Sequence, residues 1–150
     1  MLDAFMIFSA KYLYLLIILI TFLYFVKLKI SKKKILIFSG IVLSAIFVVS
    51  QIASKLYYNP RPFVVKHFTP LIYHAANNGF PSDHSLISFA FASIAFVLNR
   101  KLGLILFALA FLVGLSRIYV GVHFPIDVLG SFLISVIVAG ICVKIFPWMK

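Results

Sequence analysis

Three short clusters hold most of the residues in this chain that could do chemistry. Lys55 stands just before Arg61-Pro62, then Pro81-Ser82-Asp83-His84 follows, and last come Ser116-Arg117, His123 and Asp127. Two arginines and a lysine make a polyanion site, and the guanidinium fork matches phosphate oxygens. His123 and Asp127 are four positions apart, so on a helix they share a face. A carboxylate beside an imidazole fixes its tautomer and stabilises its charged form, leaving the opposite ring nitrogen free to attack. His84, from another segment, could give a proton to a leaving group. One histidine as nucleophile, one as acid and three cations fit phosphoryl transfer through a phosphohistidine, with cations standing where a metal would otherwise sit.

Each residue also has a plainer reading. Ser82 and Asp83 stand where a helix should begin, the usual N-cap position, and the free amides there suit an anion. Arg61-Pro62 alone reads equally as a turn, and Arg117 alone as an arginine snorkelling to headgroups. His67 and His74 read as hydrogen-bonded interface residues. Asp127 is harder to dismiss, because an ionisable group in an apolar stretch is costly and usually functional. None of the plainer readings explains why all three clusters fall on one side of the chain's elements.

Those elements follow from composition. Of 150 residues, 64% are hydrophobic and 11% charged. A soluble domain is roughly 45–50% apolar, and the mean hydropathy of +1.16 is that of an integral membrane protein. A soluble enzyme, a disordered chain and a disulfide scaffold are all disfavoured. Cys142 is the single cysteine, so it offers neither an intramolecular disulfide nor a cysteine-based metal site. Five apolar runs stand out: 12–26, 35–54, 85–99, 102–116 and 128–143. Three are short of the roughly 17–25 residues of a spanning helix. They must extend into their flanks, which puts His84, Arg117 and Asp127 at helix ends. The first run reads as a retained helix, because basic residues and no small-residue cleavage pattern follow Val26. The expectation is an all-α bundle of about five spans in a single domain over residues 1–150.

Charge sets the orientation. The formal net charge is +11, with 14 basic and 3 acidic residues. A nucleic-acid binder would not dilute such charge in apolar runs. Lys27, Lys29, Lys32, Lys33, Lys34, Arg100, Lys101, Lys144 and Lys150 fall on one side, whereas Lys11, Lys55, Arg61, Lys66 and Arg117 fall on the other. The positive-inside rule puts the first set in the cytoplasm and all three polar clusters outside. The 57–81 connection is long, carries four of the six prolines and two of the four histidines, and such loops are often functional. The Lys32–Lys34 run reads first as a topogenic signal and second as a lipid headgroup site.

At this point a resemblance can be stated. Ser116-Arg117, five residues, His123, three residues, Asp127 resembles the third signature of the type-2 phosphatidic acid phosphatase superfamily. Pro81-Ser82-Asp83-His84 resembles its second, usually Pro-Ser-Gly-His, and Lys55 with Arg61-Pro62 its first. The resemblance implies roles: His123 as nucleophile, Asp127 orienting it, His84 as general acid, and Arg61, Arg117, Lys55 and Ser82 holding phosphate. It implies a membrane helix bundle, typically of six spans, with no metal and no other cofactor. Three departures are visible. Five residues instead of six separate Lys55 from Arg61, which turns a helix position by about 100°. Asp83 replaces the glycine, where a carboxylate could repel phosphate, cap the helix or order Arg61 or Arg117. Five spans are counted, and the N-terminus looks trimmed to just before the first.

With the Asp variant, residues 46–140 closely resemble the branch of bacterial undecaprenyl-diphosphatases of the bacitracin-resistance type. That branch implies removal of the terminal phosphate of undecaprenyl diphosphate at the outer face of the bacterial inner membrane, recycling the carrier for cell-wall synthesis. The implied partners are the bilayer and a lipid phosphate or diphosphate, with no nucleic acid and no metal. Relatives in the same superfamily act on lipid A at its 1-position or on phosphatidylglycerol phosphate, and a phosphohistidine could also pass its phosphate to another lipid. A non-enzymatic transport or assembly protein would keep the helices but would not need the His123/Asp127 spacing. Vanadium haloperoxidases resemble the same superfamily, but they are larger and soluble.

Overall fold

A computed structural model describes residues 1–28 and 31–146 of the chain. The basic residues Lys29 and Lys150 of the orientation argument lie outside the described residues. The elements are α1 (Leu2–Lys27), α2 (Lys32–Leu56), a single turn α3 (Pro62–Val65), α4 (Asp83–Leu98), α5 (Arg100–Tyr119) and α6 (Pro125–Ile145). No strand forms among the described residues. Four helices are long and apolar enough to cross a membrane, and α4 is a shorter apolar helix of 16 residues. At 1.5 Å per residue α4 is about 24 Å long, less than the roughly 30 Å hydrocarbon layer. The expected helices are present, each extended into its polar flanks.

α4 is the centre of the bundle and touches α1, α2, α5 and α6. Its sequence explains why. Ser85, Ser88, Ala90, Ala92, Ser93 and Ala95 are all buried, and small side chains let backbones approach closely without a hydrophobic drive between helices. On one side Phe38, Val42 and Ile46 of α2 and Val138 of α6 meet Leu86 and Ile94 of α4. On the other, Ile17 of α1 and Leu106 and Val113 of α5 surround Phe89. The large residues left outside, such as Phe47, Leu104 and Ile105, form the apolar surface that a bilayer requires.

Local devices fix both ends of the helices that carry the site. Asn99 joins α4 to α5, and its side chain accepts from the Leu102 amide at 3.1 Å. A Cβ on Gly103 would come within 2.3 Å of the Phe96 backbone, so this hairpin closes only on glycine. At the other end of α5, Gly121 adopts φ +83° against the Phe68 ring and turns the chain toward α6. Pro125 opens α6 in its first turn.

The first helix differs from the expectation. The apolar run begins at Tyr12, yet α1 begins at Leu2, which places Lys11 nine residues inside a helix instead of at its end. Tertiary contact accounts for the extra turns. Ala10 packs in a buried cluster with Ile72, Val120 and Val122, with Ile7 against it. The Tyr119 hydroxyl donates to the Asp3 carboxylate at 2.6 Å. The first turns of α1 therefore stand beside the loops that build the site.

Candidate active site

The site lies where α4 and α6 begin and α5 ends, under the 57–81 connection. His123 is the last but one residue before α6, and Asp127 lies in its first turn. The His123 Nδ1 is 3.2 Å from Asp127 Oδ2, and both residues are buried. Nε2 of the same ring is 3.2 Å from an Arg61 guanidinium nitrogen. Arginine can only donate, so Nε2 is an acceptor, and Nδ1 carries the proton given to Asp127. This network leaves the nucleophilic lone pair on Nε2.

Asp127 is held from three directions. Its Oδ2 also accepts the Phe124 amide at 2.8 Å, which caps α6, and its Oδ1 accepts from the Asn59 amide nitrogen at 2.7 Å. Behind it the chain is so close that a Cβ on Gly79 would come within 3.0 Å of Oδ2. Arg61, also buried, is fixed by Asn77 Oδ1 at 2.9 Å and by the carbonyls of Val122 and Asn78. Asn78 ties this loop to α2 through the Ser54 and Tyr57 carbonyls.

Arg117 is 2% exposed. One terminal nitrogen donates to the Ala10 carbonyl of α1 at 3.3 Å, while Nε and the other terminal nitrogen have no partner among the described residues. A buried guanidinium with two orphan donors is costly, and an anion is the natural complement. Burial pulls the Arg61 guanidinium below its ordinary pKa, an effect that the charges of Asp127 and Asp83 oppose. Burial also lowers the His123 pKa; its bond to Asp127 opposes the shift, and the cations Arg61 and Arg117 add to it. His123 is therefore held neutral, the form that can attack.

The remaining expected residues divide. His84, in the first turn of α4, is half-buried with its ring edge-on to Tyr14 of α1, centroids 4.8 Å apart. Ser82 is fully buried at the N-cap position of α4, but its hydroxyl makes no cap bond and instead lies 3.1 Å from the Ser85 hydroxyl. Its backbone is pinned to α6 through the Asp127 carbonyl and the Ser131 hydroxyl. Asp83 is exposed and forms no ion pair among the described residues; it lines a polar cavity of about 250 Å³ with Arg61, His74, Asn77 and Asn78. Lys55 is not brought in: it is exposed at the end of α2 and does not line that cavity. The missing residue between Lys55 and Arg61 is the reason the sequence offers for that placement.

Several site residues escaped the sequence reading. His74, read as an interface histidine, lies with its ring 6.1 Å from that of His123, and burial together with the Arg61 charge lowers its pKa to about 4. Asn59, Asn77 and Asn78 brace Asp127 and Arg61. The only signal for them was position: Asn77-Asn78-Gly79 runs directly into the second cluster. Among the described residues no group of three His, Cys, Asp or Glu side chains gathers in a way that could hold a metal ion.

Residues 11–150 match the family model of the PAP2 superfamily. The chain belongs to the PAP2 superfamily. Over 140 residues it is 37% identical to undecaprenyl-diphosphatase BcrC of Bacillus subtilis, an alignment that covers 91% of this chain and 71% of that protein. Two solved structures superpose on it. LpxE of Aquifex aeolicus gives a TM-score of 0.75 at 28% identity, over 95% of this chain and 86% of the other. A PAP2-type phosphatidylglycerolphosphate phosphatase of Bacillus subtilis gives 0.67 at 25% identity, over 99% and 78%. The chain is thus a multi-pass membrane lipid phosphatase of the PAP2 superfamily.

Proposed function

We propose that this PAP2 protein hydrolyses undecaprenyl diphosphate to undecaprenyl phosphate, by a metal-independent route through a phosphohistidine. The observation that carries the chemistry is the His123 ring, oriented by Asp127 and held neutral between Arg61 and Arg117. The likeness to an undecaprenyl-diphosphatase supports the choice of lipid.

In the first step His123 Nε2 attacks the terminal phosphorus, and the bond from phosphorus to the bridging oxygen breaks. His84 gives that oxygen its proton, and the lipid monophosphate leaves. Arg61, Arg117 and the Ser82 hydroxyl hold the non-bridging oxygens as charge shifts onto them. Arg61 must first exchange its contact with His123 Nε2 for one with phosphate, which frees the lone pair. In the second step water attacks phosphorus, His84 takes its proton, the phosphorus–nitrogen bond breaks, and phosphate and His123 are released. Asp83 lines the polar cavity beside Arg61, and its charge adds to that of Asp127 in opposing the effect of burial on the guanidinium. The positive-inside bias of the sequence supports a site at the outer face of a bacterial inner membrane.

A second reading keeps the chemistry and changes the lipid to phosphatidylglycerol phosphate, favoured by the superposition on a phosphatase for that lipid. Phosphate release from undecaprenyl diphosphate, phosphatidylglycerol phosphate and lipid A, measured side by side in detergent with chelator, separates the readings. His123→Ala serves as blank. Fast, chelator-resistant release from undecaprenyl diphosphate is expected. Faster release from either other lipid overturns the choice of substrate, and wild-type turnover by His123→Ala overturns the mechanism.

A further inference from the structure

The three signatures leave α1 with no part in the chemistry, yet α1 touches the site twice on one face. The Ala10 carbonyl accepts from Arg117 at 3.3 Å, and the Tyr14 ring meets His84 edge-on with centroids 4.8 Å apart and planes at 75°. Positions four apart on a helix lie one above the other. The turn Ala10–Tyr14 thus forms a wall beside both Arg117 and His84. That turn cannot slide freely, because Ala10 is buried against Ile72, Val120 and Val122 and α1 is anchored above it through Asp3 and Tyr119.

We propose that Tyr14 is the positioning residue for the acid His84: its ring holds the imidazole toward the leaving-group oxygen. This rests on the reading of His84 as general acid. His84 has few other restraints. It lies in the first turn of α4, it is half-buried, and no side-chain hydrogen bond orients its ring among the described residues. An edge-to-face aromatic pair has a preferred geometry, which a bare apolar wall lacks. The Tyr14 hydroxyl makes no hydrogen bond among the described residues, so the ring and not the hydroxyl carries the role.

A positioning role for the acid has a signature that a packing role lacks. Protonating the leaving group matters most when that group is strongly basic. Phosphatidic acid expels an alkoxide, whereas p-nitrophenyl phosphate expels a stabilised phenolate that needs no proton. General acid catalysis is worth roughly 10²–10⁴-fold, so partial misplacement should remove about tenfold or more from kcat/KM on phosphatidic acid, the constant that reports departure of the leaving group and not the later hydrolysis in which His84 acts as base. Tyr14→Leu is expected to show that loss, while kcat/KM on p-nitrophenyl phosphate stays within about twofold. Tyr14→Phe should match wild type on both substrates. His84→Ala, run beside them, should show the same split, only larger. Equal losses on both substrates in Tyr14→Leu, or a Tyr14→Phe variant as slow as Tyr14→Leu, would overturn the positioning role. Equal losses in His84→Ala would instead overturn the acid assignment and the inference that depends on it, so the two failures read differently.

Discussion

The two ends of the α5–α6 pair are built on opposite principles. At the site end the helices are clamped: a Cβ on Gly114 would come within 2.4 Å of Val128. Just beyond lie the buried Arg117, His123 and Asp127 and a polar cavity of about 250 Å³. Further along, the helices part, and a larger apolar cavity of about 460 Å³ opens among Phe96, Phe107, Phe111 and Phe132. Phe111 and Phe132 of its lining meet each other tilted and Phe89 edge-on, with centroids 4.9–5.3 Å apart. The larger cavity is lined by no titratable group, and the hydroxyl of Ser93, the one polar side chain in its lining, is unpartnered among the described residues. Size therefore does not mark the active site here. What marks it is a buried hydrogen-bonded network of Arg61, His123 and Asp127 beside two donors of Arg117 that are unpartnered among the described residues.

That contrast can be broken most strongly at the two arginines. Arg117→Ala should lower kcat/KM on a lipid phosphate by about 10²–10³-fold, the usual cost of removing a donor aimed at developing charge. Phe132→Leu, in the apolar cavity, should leave kcat/KM within about twofold, because volume and polarity are nearly kept. A comparable loss from the phenylalanine variant would mean that the apolar cavity takes part in turnover.

The clamp between the two ends gives the next effect. Gly114→Ala inserts a methyl group where Val128 already stands, an overpacking that should cost about 1–3 kcal/mol. Thermal unfolding in detergent would report it as a Tm lowered by several degrees. Gly140 has open space around its Cβ position, so Gly140→Ala should not lower Tm and should raise it slightly, because alanine is favoured over glycine in a helix interior by roughly 0.5–1 kcal/mol. Equal Tm values for the two variants would contradict the clamp.

The smallest effect is in the pH dependence of stability. His123 and His74 both have folded pKa values below the ordinary value of about 6.5, His74 at about 4, chiefly through burial. Below that ordinary value the unfolded chain binds protons that the folded chain does not, so stability falls as pH falls through 6.5 and is recovered as pH rises. Tm should therefore drop between pH 7.5 and pH 5, and His74→Gln should flatten the drop. An unchanged slope in His74→Gln would show that His74 is not held neutral by the site.

Much of this was legible in the sequence, for identifiable reasons. Apolar runs bounded by charge located all five long helices, since a bilayer tolerates no other way of satisfying the backbone. The His123/Asp127 spacing and the Arg117 position read correctly as one end of the bundle, because helix termini fix both. Local pattern failed where tertiary contact decided the outcome. Ser82 sits at the N-cap position, but its hydroxyl turns to Ser85. α1 starts ten residues early because Ala10 packs on the loops beside the site, against Ile72, Val120 and Val122. Asn59 and Asn78 read as loop residues, and only the closure of residues 57–81 over the site reveals that they hold Asp127 and the loop itself. No spacing rule connects Tyr14 to His84 or Asn59 to Asp127, because those pairs meet only once the helices are packed.

The central claim is that His123 carries the phosphate. The direct test is to mix the protein with undecaprenyl diphosphate labelled in its terminal phosphate, quench within one turnover in alkali, and map the label. The account predicts acid-labile label on a peptide containing His123, formed in the presence of chelator and missing in His123→Ala. Turnover by the wild type at full rate with no label on His123, or with label on His84 or His74, would contradict it.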